Sequence, residues 1–381
     1  MKGPSFSIPK IEFERRLEII RKKLRESGYD ALLAISGYAE RDGNVCYLCG
    51  HKNAFPYSGR SDVVSGLGYS AFLVPVEGQT ILISPLGYRA DKVVGVDRAK
   101  MGTNFDRDLV SALSESHLDR GKLALAGSDI MPAVYVNELN RVFPELSLRF
   151  VDDFVAEQRM IKSENELKLI REASKVADKA VRVALESIGP GLTESAIGSV
   201  ARKAAMEAGA DYVVRDRIQS GPEIGTLRWP FASQRKVRKG ELVSIDFVGW
   251  VKAYGFDILR MGCVGRPSTE QRMLIERAGE ATKAMSESLS DGCSIEASME
   301  QLKRFERNRM RIEPFGHAIG LEIVENPYLL PSVRGTVKKN MVFCVEPVIR
   351  TAKGWASIEN EIVVTDSKPE VLTKLPVDFW D

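Results

Sequence analysis

Two stretches decide the fold, KVRKGELVSID (236–246) and TVKKNMVFCVE (336–346). They align at an offset of about 100 residues, each leading through a basic turn into a β-rich run that ends in an acid. The acid is Asp246 in one copy and Glu346 in the other. Upstream, ESIGPGLTESA (186–196) repeats as ESLSDGCSIEA (287–297), each after one helix and opening another. Downstream, each copy has a second acid after an apolar residue, in Phe256-Asp257 and Ile358-Glu359. Two copies, rather than an array, predict a pseudo-symmetric domain with one shared core.

The repeat places chemistry. SIDFVGW (244–250) and AYGFDILR (253–260) read as neighbouring strands of a hairpin, as do FCVEPVI (343–349) and SIENEIVV (357–364). Pseudo-symmetry then points Asp246, Asp257, Glu346 and Glu359 into one space. Carboxylates packed that closely repel and do not stay ionised unaided, and one or two divalent cations resolve the conflict. His317, in PFGHAIGLEI (314–323), has glycine on both sides for close backbone approach and adds one nitrogen to the oxygen-rich set. One imidazole among carboxylates suits manganese, cobalt, iron or zinc. Two ions sharing carboxylates activate a water and polarise a carbonyl or phosphoryl oxygen. Any one such acid alone reads as a solvated charge, and a lone histidine as structural. The pattern carries the case.

The rest of the chain bounds the answer. Its 381 residues allow two or three domains. Lys and Arg number 54 against 52 Asp and Glu, a net charge of +2 that argues against a nucleic-acid or membrane partner. Only 3 histidines occur, so a histidine-rich site is excluded. Five cysteines, an odd number, fit reduced thiols in a cytoplasmic protein. Cys46 and Cys49 form a C-x-x-C with His51 just after, which reads as a redox pair, half a zinc site or, the preferred reading, part of a buried strand. The first residues show no apolar signal core, and no run approaches the about 18 apolar residues of a membrane span.

Residues 11–27 carry apolar side chains at helical spacing, stopped by Gly28. Short apolar runs follow: DALLAIS, NVCYLCG, GYSAFLVPV, TILISP, KLALAG and LSLRFVDD. With helices between, they predict an α/β domain over 1–155, with no phosphate-binding glycine loop. Residues 157–186 then read as a long amphipathic helical stretch, with Ser163 and Glu166 spaced as a capping box at the helix start. The second domain is 156–381, an α+β unit with the internal repeat.

These residues resemble the pita-bread metallopeptidases, the family of methionine aminopeptidase, Xaa-Pro aminopeptidase, prolidase and the non-peptidase creatinase. The resemblance rests on RMIKSENELKLIREA, SGPE, RKVRKGELVSIDF, the spacing of eleven from Asp246 to Asp257, GHAIGLEI, VEP and SIEN, in family order. It implies a creatinase/prolidase-like N-terminal domain and a pita-bread catalytic domain. It also implies two divalent metal ions on Asp246, Asp257, His317, Glu346 and Glu359, with Glu346 the base for a metal-activated water attacking a C–N bond. A homodimer is implied, the N-terminal domain of one subunit covering the other's site.

The outer shell departs from the family. Trp229 stands at or beside the place of a histidine after the S-G-P motif, and Val324 replaces the second histidine, near the scissile bond. Ser357 stands before Ile358-Glu359 where prolidases often carry arginine. Trp229 makes the pocket more apolar and offers a face to a cation. Arg215, Arg217 and Arg228 read either as binders of a substrate carboxylate or, the commoner case, as solvated surface. The implied function is a hydrolase of Xaa-Pro type acting on a short peptide or small molecule. The alternatives are a non-peptidase member acting on a small amide, amidine or amino-acid derivative, a lyase, and a non-catalytic binding protein.

Overall fold

The computed structural model describes residues 8–53, 55–225, 231–306, 310–351 and 354–377. The chain divides into two compact units, Met1–Arg159 and Met160–Asp381.

The first unit is a mixed α/β sheet. Helix α1 (Lys10–Ser27) buries Leu17, Ile20 and Leu24 and ends at Gly28, whose φ of 68° supplies the left-handed cap. Six strands run β1 (Ala31–Gly37), β2 (Tyr69–Pro75), β3 (Ile81–Ile83), β4 (Arg98–Lys100), β5 (Lys122–Ala126) and β6 (Ser147–Phe150). Their order is β4-β3-β2-β1-β5-β6, with β1 antiparallel to β2 and parallel to β5. Helices α3 (Phe105–Glu115) and α4 (Ala133–Val142) accompany them.

One expected strand is a helix. Residues 44–49 fall in α2 (Gly43–Cys49), which is buried throughout and capped by Gly50 at φ 78°. A short, wholly buried apolar run has no polar face to set its period, so strand and helix look alike in sequence. The cysteines of this helix are free, and burial pushes the Cys46 thiol up to about 12, so they pack as small hydrophobes.

The helical stretch over 157–186 starts its main helix at Ser163, as the capping box predicts, with a short helix before it. Helix α5 (Asp153–Met160) stops, and α6 (Glu164–Ser187) begins with the Ser163–Glu166 capping box intact in both directions. The box satisfies free N–H groups at a helix start, so it marks a break inside the run.

The second unit carries the repeat. In the first copy α6 is followed by α7 (Glu194–Glu207) and a sheet of β7 (Tyr212–Ser220), β8 (Leu242–Val251) and β9 (Tyr254–Cys263). In the second copy come α8 (Thr269–Glu287), α9 (Ile295–Glu300), β10 (Arg311–Glu313), β11 (Gly316–Ala318), β12 (Glu325–Tyr328), β13 (Val342–Val345), β14 (Val348–Thr351), β15 (Gly354–Ser357), β16 (Asn360–Val363) and β17 (Glu370–Val371). The equivalence reaches single bonds. Thr193 bridges Lys236 as Ser294 bridges Thr336, and Gly191 N–H donates to Val237 O as Gly292 N–H donates to Val337 O. Gly240 (φ 84°) and Asn340 (φ 66°) turn the chain at matching points, in the left-handed region those residues tolerate best. One hydrophobic cluster gathers α6, α7 and β7–β9, and another gathers α8, α9 and the later strands.

Candidate metal centre

Asp246 and Asp257 come from the β8–β9 hairpin. Asp257 lies opposite Val248, two residues along β8 from Asp246, so period-two alternation puts both carboxyls on one face. Glu346 and Glu359 stand just past β13 and just before β16, which pair from Val342↔Val363 to Val345↔Asn360. Beyond them β14 and β15 pair again, so the second hairpin is interrupted at the acids themselves. Glu359 N–H donates to Leu259 O at 3.1 Å, tying the start of β16 to β9, where the two copies meet.

His317 sits on β11 opposite Cys344 of β13. Its Nδ1 lies 3.1 Å from Ala318 O; a carbonyl only accepts, so Nδ1 carries the proton and Nε2 is left with its lone pair. Nε2 is 3.9 Å from Asp257 Oδ2. Gly316 is required by a neighbouring backbone, and Gly320 lies against the Glu325 carboxylate. A Cβ on Gly316 would stand 2.5 Å from Cys344 O, and one on Gly320 would stand 2.8 Å from Glu325 Oε1. The turn after His317 is pinned by Trp250 Nε1–H donating to Leu321 O (2.9 Å) and by the buried Lys162–Glu325 ion pair (3.1 Å).

The electrostatics are those of crowded anions in a dry place. Asp246, Asp257, His317 and Glu359 are buried, and Glu346 is partly buried. Burial, then the neighbouring carboxylates, holds Asp257 and Glu359 well above the ordinary carboxyl range. Burial and Asp246 push Glu346 to about 8. Burial lowers the His317 imidazole, favouring the neutral form that ligates. Glu359 Oε1 is buried with no hydrogen-bond partner. A buried orphan oxygen, repelling carboxyls and a neutral imidazole lone pair together fit a divalent cation site.

The structure corrects one expectation and extends the set. Arg217 is not solvated surface: from β7, directly opposite Asp246, its guanidinium reaches 3.3 Å from Asp246 Oδ2. Glu361, two residues after Glu359, was missed; it is buried, and its Oε1 accepts Asp257 N–H at 2.8 Å. Ser174 Oγ contacts Glu361 Oε2 and also donates to Ile170 O (2.9 Å). One hydroxyl has one proton, so both contacts are satisfied when Glu361 keeps its own, in line with burial pushing it to about 8. Cys344, two residues before Glu346, was missed likewise; strand alternation was the available signal for both. Val324 is exposed, seven residues after His317 on the turn that follows it. Arg228 and Trp229 lie outside the described residues. His51 and His117 belong to the first unit. A cavity of about 1680 Å³ in the second unit, lined by Pro222, Leu274, Arg277 and Trp355 among others, has none of the five expected ligands in its wall.

Among the described residues, no helix is long and apolar enough to cross a membrane. Residues 168–366 match the profile of metallopeptidase family M24. The Xaa-Pro dipeptidase of Pyrococcus horikoshii is 28% identical over 334 residues, 84% of this chain and 90% of that protein. The Xaa-Pro dipeptidase of Pyrococcus furiosus is 31% identical over 229 residues, 59% of this chain and 66% of that protein. The fold is shared with the prolidase structure from Pyrococcus horikoshii (TM-score 0.79, 24% identity, 96% of this chain and 99% of that one). It is also shared with the X-Pro aminopeptidase structure from Thermotoga maritima (TM-score 0.80, 24% identity, 95% and 98%).

Proposed function

The chain belongs to metallopeptidase family M24, a metal-dependent hydrolase that resembles prolidase, and from that premise we propose that it cuts the C–N bond of short Xaa-Pro peptides. Asp246, Asp257, His317, Glu346 and Glu359 hold two divalent ions, with manganese, cobalt, zinc and iron the metals the donor set suits. When bound, the ions supply Lewis acidity and a water of lowered pKa. The observation that carries the reading is the orphaned, buried Glu359 Oε1 in a cluster of repelling carboxyls.

The chain's own groups do the rest. Glu346 is the partly buried member of the set, and it takes the proton of the attacking water and passes it to the leaving nitrogen. His317 keeps its Nε2 free because Nδ1 is committed to Ala318 O. A homodimer, with the partner's N-terminal unit closing the site, and a cytoplasmic location complete the proposal.

The outer shell favours a second reading. Valine at 324 neither donates to a tetrahedral intermediate nor moves a proton, so a small amide or amino-acid derivative is the competing substrate class. Purified enzyme with manganese or cobalt is to be assayed on Xaa-Pro dipeptides and on longer peptides with an N-terminal Xaa-Pro. Turnover is expected, abolished by chelation and reduced about 100-fold or more in Glu346→Gln when the two proteins are compared at equal metal content. No turnover at high concentration of metal-replete enzyme sinks the peptidase reading.

A further inference from the structure

The family site is built from oxygen and nitrogen, but here sulfur stands in the same cluster. Cys344 on β13 lies directly across from His317 on β11 and from Glu361 on β16. Directly opposed residues of neighbouring antiparallel strands carry their side chains on the same face, about 5 Å apart at Cβ. One ligand atom each from His317, Cys344 and Glu359 can be chosen so that all lie within 4.8 Å of one another, and the three residues are buried. The Cys344 thiol is not in a disulfide. A second observation, independent of the cysteine, marks the same spot as a ligand position: Glu359 is 1% exposed, and its Oε1 has no partner.

We propose that Cys344 is a sulfur donor to the metal centre, joining His317 and Glu359 around one of the two ions. The proposal rests on the dinuclear reading above and deepens it. Binding replaces the S–H bond with a metal–sulfur bond, and the thiol proton leaves to solvent. A soft donor beside one imidazole shifts the site from manganese toward zinc, cobalt or iron. The other side of the cluster, where Arg217 stands beside Asp246, stays oxygen-rich.

The test uses the full chain, stripped with a chelator and reloaded with cobalt(II). Expected are near-ultraviolet charge-transfer bands from sulfur to cobalt, absent from Cys344→Ser and Cys344→Ala at equal cobalt content. Competition between zinc and manganese should show the wild-type preference for zinc falling about tenfold or more in either variant. The wild-type spectrum is informative even if both variants fail to fold. Bound cobalt without sulfur bands overturns the sulfur ligation and leaves the five-residue centre standing. No cobalt uptake overturns the centre and the sulfur donor together.

Discussion

The Arg217 guanidinium lies 3.3 Å from Asp246 Oδ2, directly across the β7–β8 ladder. A fixed cation therefore already neutralises part of the acid cluster. It eases the cost of burying those carboxyls, and for the same reason it competes with any ion that uses Asp246. Arg217→Ala should bind manganese or cobalt about tenfold tighter, a difference of roughly 1.4 kcal/mol, while the chelated protein loses stability. Isothermal titration against wild type checks this. Weaker binding in the variant would mean that the arginine orients Asp246 rather than competing for it.

Stability should fall less steeply with rising pH when metal is bound than when it is not. Burial raises Glu346 and Glu361 from 4.5 to about 8 in the folded protein. Between those values the folded chain binds more protons than the unfolded one, so the chelated protein loses stability as pH rises through that window. Metal favours the deprotonated carboxylates and so offsets the loss. The gap in Tm between loaded and chelated protein should widen from about pH 5 to about pH 8. A constant gap across that range would count against buried, mutually repelling acids.

The duplicated unit was legible because its period constrains several residues at once. Asp246 and Glu346 fall at matching places, and the bridges Thr193–Lys236 and Ser294–Thr336 show the same offset. Arg217 was not legible, since its meeting with Asp246 depends on the β7–β8 register, which a bulge between Val213 and Arg215 resets. Cys344 and Glu361 lie two residues from named acids, yet only the β13–β16 pairing shows that they face each other. Helix α2 was misread because all its residues are buried, which erases the alternation that separates strand from helix.

Arg260 should prove the costliest side chain to remove near the centre. It is 1% exposed and donates to Leu259 O, Glu359 O, Leu375 O and Asn360 Oδ1. It thereby fixes the backbone that presents Glu359. Arg260→Leu takes a charged donor from all four; Leu259 O keeps Glu359 N–H and Asn360 Oδ1 keeps Thr373 Oγ1, but Glu359 O and Leu375 O lose the guanidinium, and about 3–5 kcal/mol of stability should be lost. Urea denaturation of the chelated protein checks this, since it separates folding from metal binding. A loss under about 1 kcal/mol would mean that water replaces the guanidinium.

Val324→His tests whether the outer shell alone limits peptidase chemistry. Position 324 is exposed, on the turn that follows His317, so an imidazole there is tolerated sterically. It would add a donor for the developing oxyanion and a proton carrier, both of which act on the transition state more than on the ground state. On Xaa-Pro dipeptides kcat should therefore rise about tenfold or more with KM little changed. A rise confined to affinity would assign the residue to substrate binding. No change would place the limitation elsewhere in the outer shell and favour a substrate other than Xaa-Pro.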